Sequence, residues 1–186
     1  MTNPSSQFVW QGDRIYHLGA AAREVSPRLI VVGDPARALR VAARFERIDH
    51  EVRHREFVTL TGPYGGRPCT VIGTGIGTDN LEIALMEAWA LLAVDHVTGE
   101  TRPDLPAIQV VRVGTSGGAR ADLEPGTLCI AAYGLGLDST GLYHDIPAVD
   151  APILELEAAA LAAVEAGTPA NARFRGWLRP YASRAD

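Results

Sequence analysis

The chain has 186 residues, 47% of them apolar and 21% charged, with a formal net charge of −5. That composition excludes a disordered or fibrous protein and fits one globular domain with a sizeable core. The acidic balance, with no basic run interleaved with aromatics, argues against a nucleic-acid partner, and no apolar stretch is long enough to cross a bilayer.

Residues 1–14 are polar, so a disordered or extended N-terminal segment is expected ahead of a single domain over residues 15–186. The N-terminus lacks the basic-then-apolar order of a secretory signal, which predicts a cytoplasmic protein. Leu29–Gly33 reads as a buried strand that breaks at Gly33-Asp34-Pro35. Pro35 suits the first turn of a helix, and Leu39, Val41, Ala42 and Phe45 give a helical pattern over 36–45. Val52–Thr61 and Pro68–Gly73 read as two strands joined across the turn-rich run 62–66. Asp79 or Thr78 is placed to cap a helix from Asn80 to about Ala93. That helix is apolar almost all round and is expected to be largely buried.

After a surface connection at 95–106, Ala107–Val113 and Gly126–Tyr133 read as strands. Gly134–Asp150 reads as a long loop carrying Tyr143 and His144, a surface loop first and a pocket border second. Ile153–Ala166 is a strong helical pattern. The tail from Gly167, with Phe174 and Trp177, has no periodicity. Cys69 and Cys129 both lie in apolar, strand-like runs and are expected to be buried free thiols. Strands alternating with helices predict an α/β layered fold with a mainly parallel core and an antiparallel hairpin.

In such folds ligands gather in loops at the carboxyl ends of strands. Gly33-Asp34-Pro35, Gly73-Thr74-Gly75-Ile76-Gly77 and Gly114-Thr115-Ser116-Gly117 all have that placement. Arg112 stands inside the β-branched run Val110–Val113, immediately before the last of them. A guanidinium buried there needs an anion or a hydrogen-bond network to receive it. With Thr115 and Ser116 it suggests an oxyanion site, most simply for phosphate; the alternative is a core arginine paired with a carboxylate. Arg37, in the first turn of the predicted helix, suits anion contact or a plain surface position. Arg55, beside a strand, suits the same chemistry or a cross-strand ion pair. The glycine run at 73–77 resembles a dinucleotide fingerprint only superficially, because its third glycine comes one residue early. No phosphate-loop lysine motif, metal-ligand cluster or nucleophile elbow occurs in the sequence.

Taken in order, Tyr16-His17-Leu18-Gly19, Gly33-Asp34-Pro35-Ala36-Arg37, His54-Arg55-Glu56-Phe57, Thr74-Gly75-Ile76-Gly77 and Arg112-Val113-Gly114-Thr115-Ser116-Gly117-Gly118 resemble the nucleoside phosphorylase-I family, most of all its uridine phosphorylase branch. The resemblance runs over roughly residues 15–165. It implies a three-layer α/β/α fold with a central mixed sheet, and a reaction in which phosphate attacks the anomeric carbon of a nucleoside. No metal or organic cofactor is implied; inorganic phosphate is the co-substrate. By resemblance, Gly33, Arg37, Arg112 and Thr115 hold phosphate within one subunit, and Arg55 reaches it from a neighbour. Arg112 and Thr115 are the residues carrying catalysis. His17 contacts the ribose 5′-hydroxyl of the neighbour's site, and Thr115, Ser116 and Gly117 border sugar and base. A homodimer is then the minimum unit, with a hexamer built from dimers.

Two motifs of the family's later half are absent: the glutamine–arginine pair that reads a pyrimidine, and the Glu-Met-Glu that binds the ribose hydroxyls. The expectation is therefore a fold incomplete at its C-terminus, with an apolar sheet edge left to be covered. Uridine phosphorolysis in nucleoside salvage is the first functional reading. A purine nucleoside phosphorylase, a water-using nucleosidase and a catalytically inactive phosphate-binding module follow it. A nucleosidase has no use for three arginines converging on phosphate, which counts against it.

Overall fold

The computed structural model describes residues 8–118, 120–138, 140 and 150–167, and the backbone of 181–184. Tyr143, His144, Phe174 and Trp177 lie outside the described residues. The chain groups into two compact units, residues 1–116 and 117–186.

The first unit begins with an antiparallel pair, β1 (Trp10–Gln11) and β2 (Arg14–Ile15), inside the stretch read as disordered or extended. An ion pair holds this hairpin. Arg14 donates to both oxygens of Glu24 at 2.9 and 2.8 Å, and the Ala21 N–H adds a third bond at 3.0 Å. Burial pushes the Glu24 carboxyl up. The Ala21 amide and the Arg14 guanidinium outweigh it and leave the group below the usual range.

The central sheet has the order β4-β5-β6-β3-β7. Its parallel part is β6 (Arg67–Gly73), β3 (Arg28–Val32) and β7 (Gln109–Arg112), while β4 (His50–His54), β5 (Phe57–Tyr64) and β6 run antiparallel. Alternation along β3 and β6 sends Leu29, Val31 and Ile72 to one face and Val32 and Val71 to the other. Helix α2 (Thr78–Ala93) covers the first face with Ala84, Ala88 and Leu91; helix α1 (Pro35–Ala42) covers the second with Ala38 and Ala42. The predicted three layers and mixed sheet are therefore present.

Several local expectations change. The predicted strand 52–61 is two strands, because the chain reverses at Arg55-Glu56 with Arg55 at φ 53°. The β5–β6 turn is the pair Gly65-Gly66, both at positive φ, as a tight hairpin with right-handed strand twist requires. Helix α2 starts two residues early, so Thr78 and Asp79 lie inside it; Gly77 holds the cap position with no side-chain cap bond. Asp34 does cap α1, accepting from the Ala36 N–H at 2.9 Å. Asp34→Ala is expected to cost about 1 kcal/mol of stability, measurable by urea unfolding.

Strand β7 is not buried. Among the described residues it has one neighbour, β3, at the margin of the sheet, and Val110 and Val111 are 45% and 58% exposed.

In the second unit β8 (Tyr133–Gly136) pairs antiparallel with β9 (Tyr181–Arg184), and α3 (Ala151–Gly167) matches the predicted helix. The strand expected at 126–133 is absent up to Tyr133. Cys129, in that irregular stretch, is exposed; Cys69, on β6, is buried, and burial raises its thiol pKa.

Candidate functional site

The carboxyl ends of the three parallel strands β3, β6 and β7 lie side by side, so the loops that follow them share one end of the sheet. The Thr74 N–H donates to the Val32 carbonyl at 2.8 Å and the Val113 N–H to the Val31 carbonyl at 2.9 Å, which carries the pairing just past the strands. The loops then diverge around a cleft of about 650 Å³ lined by Gly33, Asp34, Pro35, Arg37, Gly75, Ile76, Arg112, Gly114 and Thr115. Close approach of two loops builds one wall: a Cβ on Gly33 would lie 3.3 Å from the Gly75 carbonyl oxygen. A side chain there would prise the loops apart.

Two guanidinium groups belong to this cleft. Arg37 comes from the first turn of α1, where helix dipole and side chain both favour an anion. It also donates to the Val113 carbonyl at 3.4 Å. Arg112 comes from the end of β7, and one of its nitrogens would sit 3.1 Å from a Cβ built on Gly114. The glycine gives it room to lie along the loop. Arg112 was expected in a buried strand; instead it is exposed, because β7 is marginal. Among the described residues it forms no ion pair with a carboxylate, and its exposure differs from the core arginine weighed in the sequence. Asp34 is the cleft's acid. Its carboxylate is engaged by the Ala36 N–H and stands 3.7 Å from Arg40, away from a role as counter-ion to Arg112.

Gly33, Arg37, Arg112 and Thr115 are thus brought together as the sequence anticipates. Arg55 and His17 are brought together elsewhere. Arg55, in the β4–β5 turn, donates to the Tyr16 hydroxyl at 2.6 Å and lies 4.6 Å over the Tyr16 ring. Among the described residues it forms no cross-strand ion pair. The Tyr16 ring meets the His17 ring edge-on at 5.0 Å. The Arg55 turn approaches the cleft wall through Glu56, whose Cγ would be 3.8 Å from a Cβ on Gly75. Ser116 ends the first unit without lining the cleft, and Gly117 is the first residue of the second unit.

The sequence reading missed Glu87. It lies on α2 among Ala84, Ala88 and Leu91, is buried, and accepts from His17 and Leu18. The faint available signal was its spacing: unlike Glu82 on the same helix, Glu87 falls in register with Ala84, Ala88 and Leu91 on the face that packs on the sheet, and glutamate is almost never buried unpaired. Among the described residues no group of His, Cys, Asp and Glu is arranged to hold a metal, and no helix is long and apolar enough to cross a membrane.

Comparison with known proteins agrees with this geometry. A uridine phosphorylase of Treponema pallidum is 33% identical over 77% of the chain and is itself covered over 51% of its length. A purine nucleoside phosphorylase of Jannaschia is 29% identical over 82% of the chain and is covered over 62%. A Trypanosoma brucei nucleoside phosphorylase, whose crystal structure is described as showing uridine phosphorylase activity, superposes with a TM-score of 0.78 at 30% identity. It matches 95% of this chain and 57% of its own. The chain thus spans about half the length of the curated uridine phosphorylases it matches. The phosphorylase superfamily model matches residues 27–178, most of the chain, and with the mixed sheet and the arginine-lined cleft at its strand ends the chain belongs to the phosphorylase superfamily.

Proposed function

We propose that this chain carries the phosphate-holding portion of a nucleoside phosphorylase, that residues 15–186 belong to one such domain, and that the nucleoside is uridine. The observation that carries the proposal is the convergence of Arg37, Arg112, Gly33 and Thr115 on one cleft. Two guanidiniums from different elements match a compact oxyanion with several acceptor oxygens, and Arg112 is free of a described carboxylate partner. In the reaction a phosphate oxygen attacks the anomeric carbon, the C–N bond breaks, and the base leaves with the electron pair. The residues need only hold and aim the nucleophile and oppose the charge that develops, which is where positioned dipoles and cations act best. Arg112 and Thr115 carry that task, with Ser116 and Gly117 at the sugar and base. Phosphate is the co-substrate, and no metal or organic cofactor takes part.

Arg55 and His17 form their own cluster beside the first set, which supports a homodimer in which each copy completes the other's cleft, and a hexamer of such dimers. The setting is nucleoside salvage in the cytoplasm. The reading is tested by uracil release from uridine, with and without phosphate, with inosine in parallel. Phosphate-dependent uracil release supports it; hypoxanthine release in its place moves the assignment to the purine enzymes. Release from neither nucleoside, with phosphate still bound, makes the chain a phosphate-binding module. A shared cleft also predicts complementation. Arg55→Ala and Arg112→Ala chains, each inactive, are expected to recover about a quarter of wild-type activity when mixed equally and allowed to exchange. Half the dimers are then hybrids, with one intact site of two. No recovery after demonstrated exchange overturns the shared site.

A further inference from the structure

The best-satisfied buried charge in the first unit, Glu87, has no part in holding phosphate. Its carboxylate is 7% exposed and lies in the face of α2 that packs on the sheet. Among the described residues, every side-chain bond it makes goes to one short segment. The Leu18 N–H reaches Oε2 at 2.8 Å, the His17 N–H bridges both oxygens at 3.1 Å, and His17 Nδ1 is 2.6 Å from Oε1. A carboxylate receiving backbone N–H groups on both oxygens is held in the acceptor role, so the remaining contact requires the proton on Nδ1. With Nδ1 committed to Glu87, Nε2 is the ring nitrogen left facing away from it, and in the Nδ1–H tautomer it is an acceptor.

The far side of the segment is fixed as well. The His54 ring donates from Nδ1 to the His17 carbonyl at 3.0 Å, and it packs so closely that a Cβ on Gly19 would lie 2.7 Å from His54 Cβ. Gly19, at φ +62°, is what lets the chain pass. The His17 backbone is thus clamped from both sides and its ring is pinned at one nitrogen, while the side chain remains 34% exposed. Partial exposure with one nitrogen committed is the state of a group that meets a ligand rather than one that fills a core.

We propose that Glu87 is a positioning residue. It fixes the orientation and the Nδ1–H tautomer of His17 so that Nε2 receives the primary hydroxyl of the nucleoside sugar. This rests on the functional reading above for the identity of the ligand, but the lock itself does not depend on it. The ¹⁵N resonances of the His17 imidazole in the full chain are expected to show the Nδ1–H form in wild type. In Glu87→Gln, whose amide cannot accept all three donors, that form gives way to exchanging tautomers. An Nε2–H ring in wild type, or an unchanged spectrum in Glu87→Gln, overturns the lock. If Glu87→Gln does not fold, the wild-type spectrum still decides, with Glu87→Asp as second variant.

The kinetic arm compares uridine with 5′-deoxyuridine. Wild type is expected to prefer the hydroxyl-bearing substrate in kcat/KM. Glu87→Gln is expected to lose about 10–100-fold on uridine and little on the deoxy analogue, as a misplaced positioning group does. Equal losses on both substrates overturn the role in hydroxyl recognition. If wild type releases no base at all, the functional reading and this role in hydroxyl recognition fall together, while the tautomer alone decides the lock.

Discussion

Arg112→Ala is expected to lower phosphate-dependent uracil release steeply, with a fall in kcat/KM of roughly 30- to 5,000-fold, equivalent to about 2–5 kcal/mol for truncating one member of a close charge pair. The side chain sits at the end of β7, shares its cleft with Arg37, and forms no ion pair with any described carboxylate. Removing it should leave the fold intact, because the residue is exposed and its side chain makes no hydrogen bond among the described residues. The loss should therefore appear as weakened phosphate binding, measurable by calorimetry on the free protein, with an unchanged unfolding transition. Arg37→Ala makes a useful comparison: Arg37 also reaches the Val113 carbonyl, so its loss frees the loop as well as the anion. Unchanged turnover and phosphate affinity in Arg112→Ala would remove this residue from the site.

Gly62→Ala is expected to have the largest effect on stability, on the order of 3 kcal/mol or more, since backbone must move to admit the methyl group. A Cβ on Gly62 would lie 2.0 Å from the Arg47 carbonyl oxygen. The chain runs tightly along β5 on both sides of that point, with the Glu46 N–H bonded to the Pro63 carbonyl at 2.9 Å and the Asp49 N–H to the Thr61 carbonyl at 2.8 Å. These bonds prevent the segment from backing away. Gly65→Ala is the matched control. It has open space around its Cβ but a φ of +57°, so about 1–2 kcal/mol of backbone strain is all it should cost. Denaturant midpoints for the two variants separate collision from conformational strain, and similar losses would show that the collision is relieved by local movement.

The parts of the fold legible in sequence are those where one physical signal acts alone. Leu29–Gly33 and the helix from about Asn80 to Ala93 announce themselves by apolar runs bounded by glycine and proline, and the structure has β3 and α2 there. The reversal at Arg55-Glu56 carries no glycine or proline. It is imposed by the pairing of β4 with β5, a relation between strands that no local window contains. The exposure of Arg112 was hidden for a related reason: Val110–Val113 has the composition of a buried strand, and only the strand order makes it marginal. Cys129 sits in an apolar run that has the composition of a strand but pairs with no strand among the described residues, which leaves the thiol exposed. For the site, the order of the motifs gave the cleft residues, since each follows a strand end. Glu87 stayed invisible because its meaning lies in a contact across 70 residues with His17.

The stacking of Arg55 on Tyr16 has a consequence for how fast and how firmly this arginine can engage an anion. A free arginine side chain gives up about 1.5–2 kcal/mol of rotamer entropy when it is ordered. Here the guanidinium already lies over an aromatic face with one nitrogen on the Tyr16 hydroxyl, so much of that ordering is complete before any ligand arrives. In the shared cleft proposed above, an incoming oxyanion would find a fixed charge rather than a moving one, with the entropy of conformational search already settled when the chain folds.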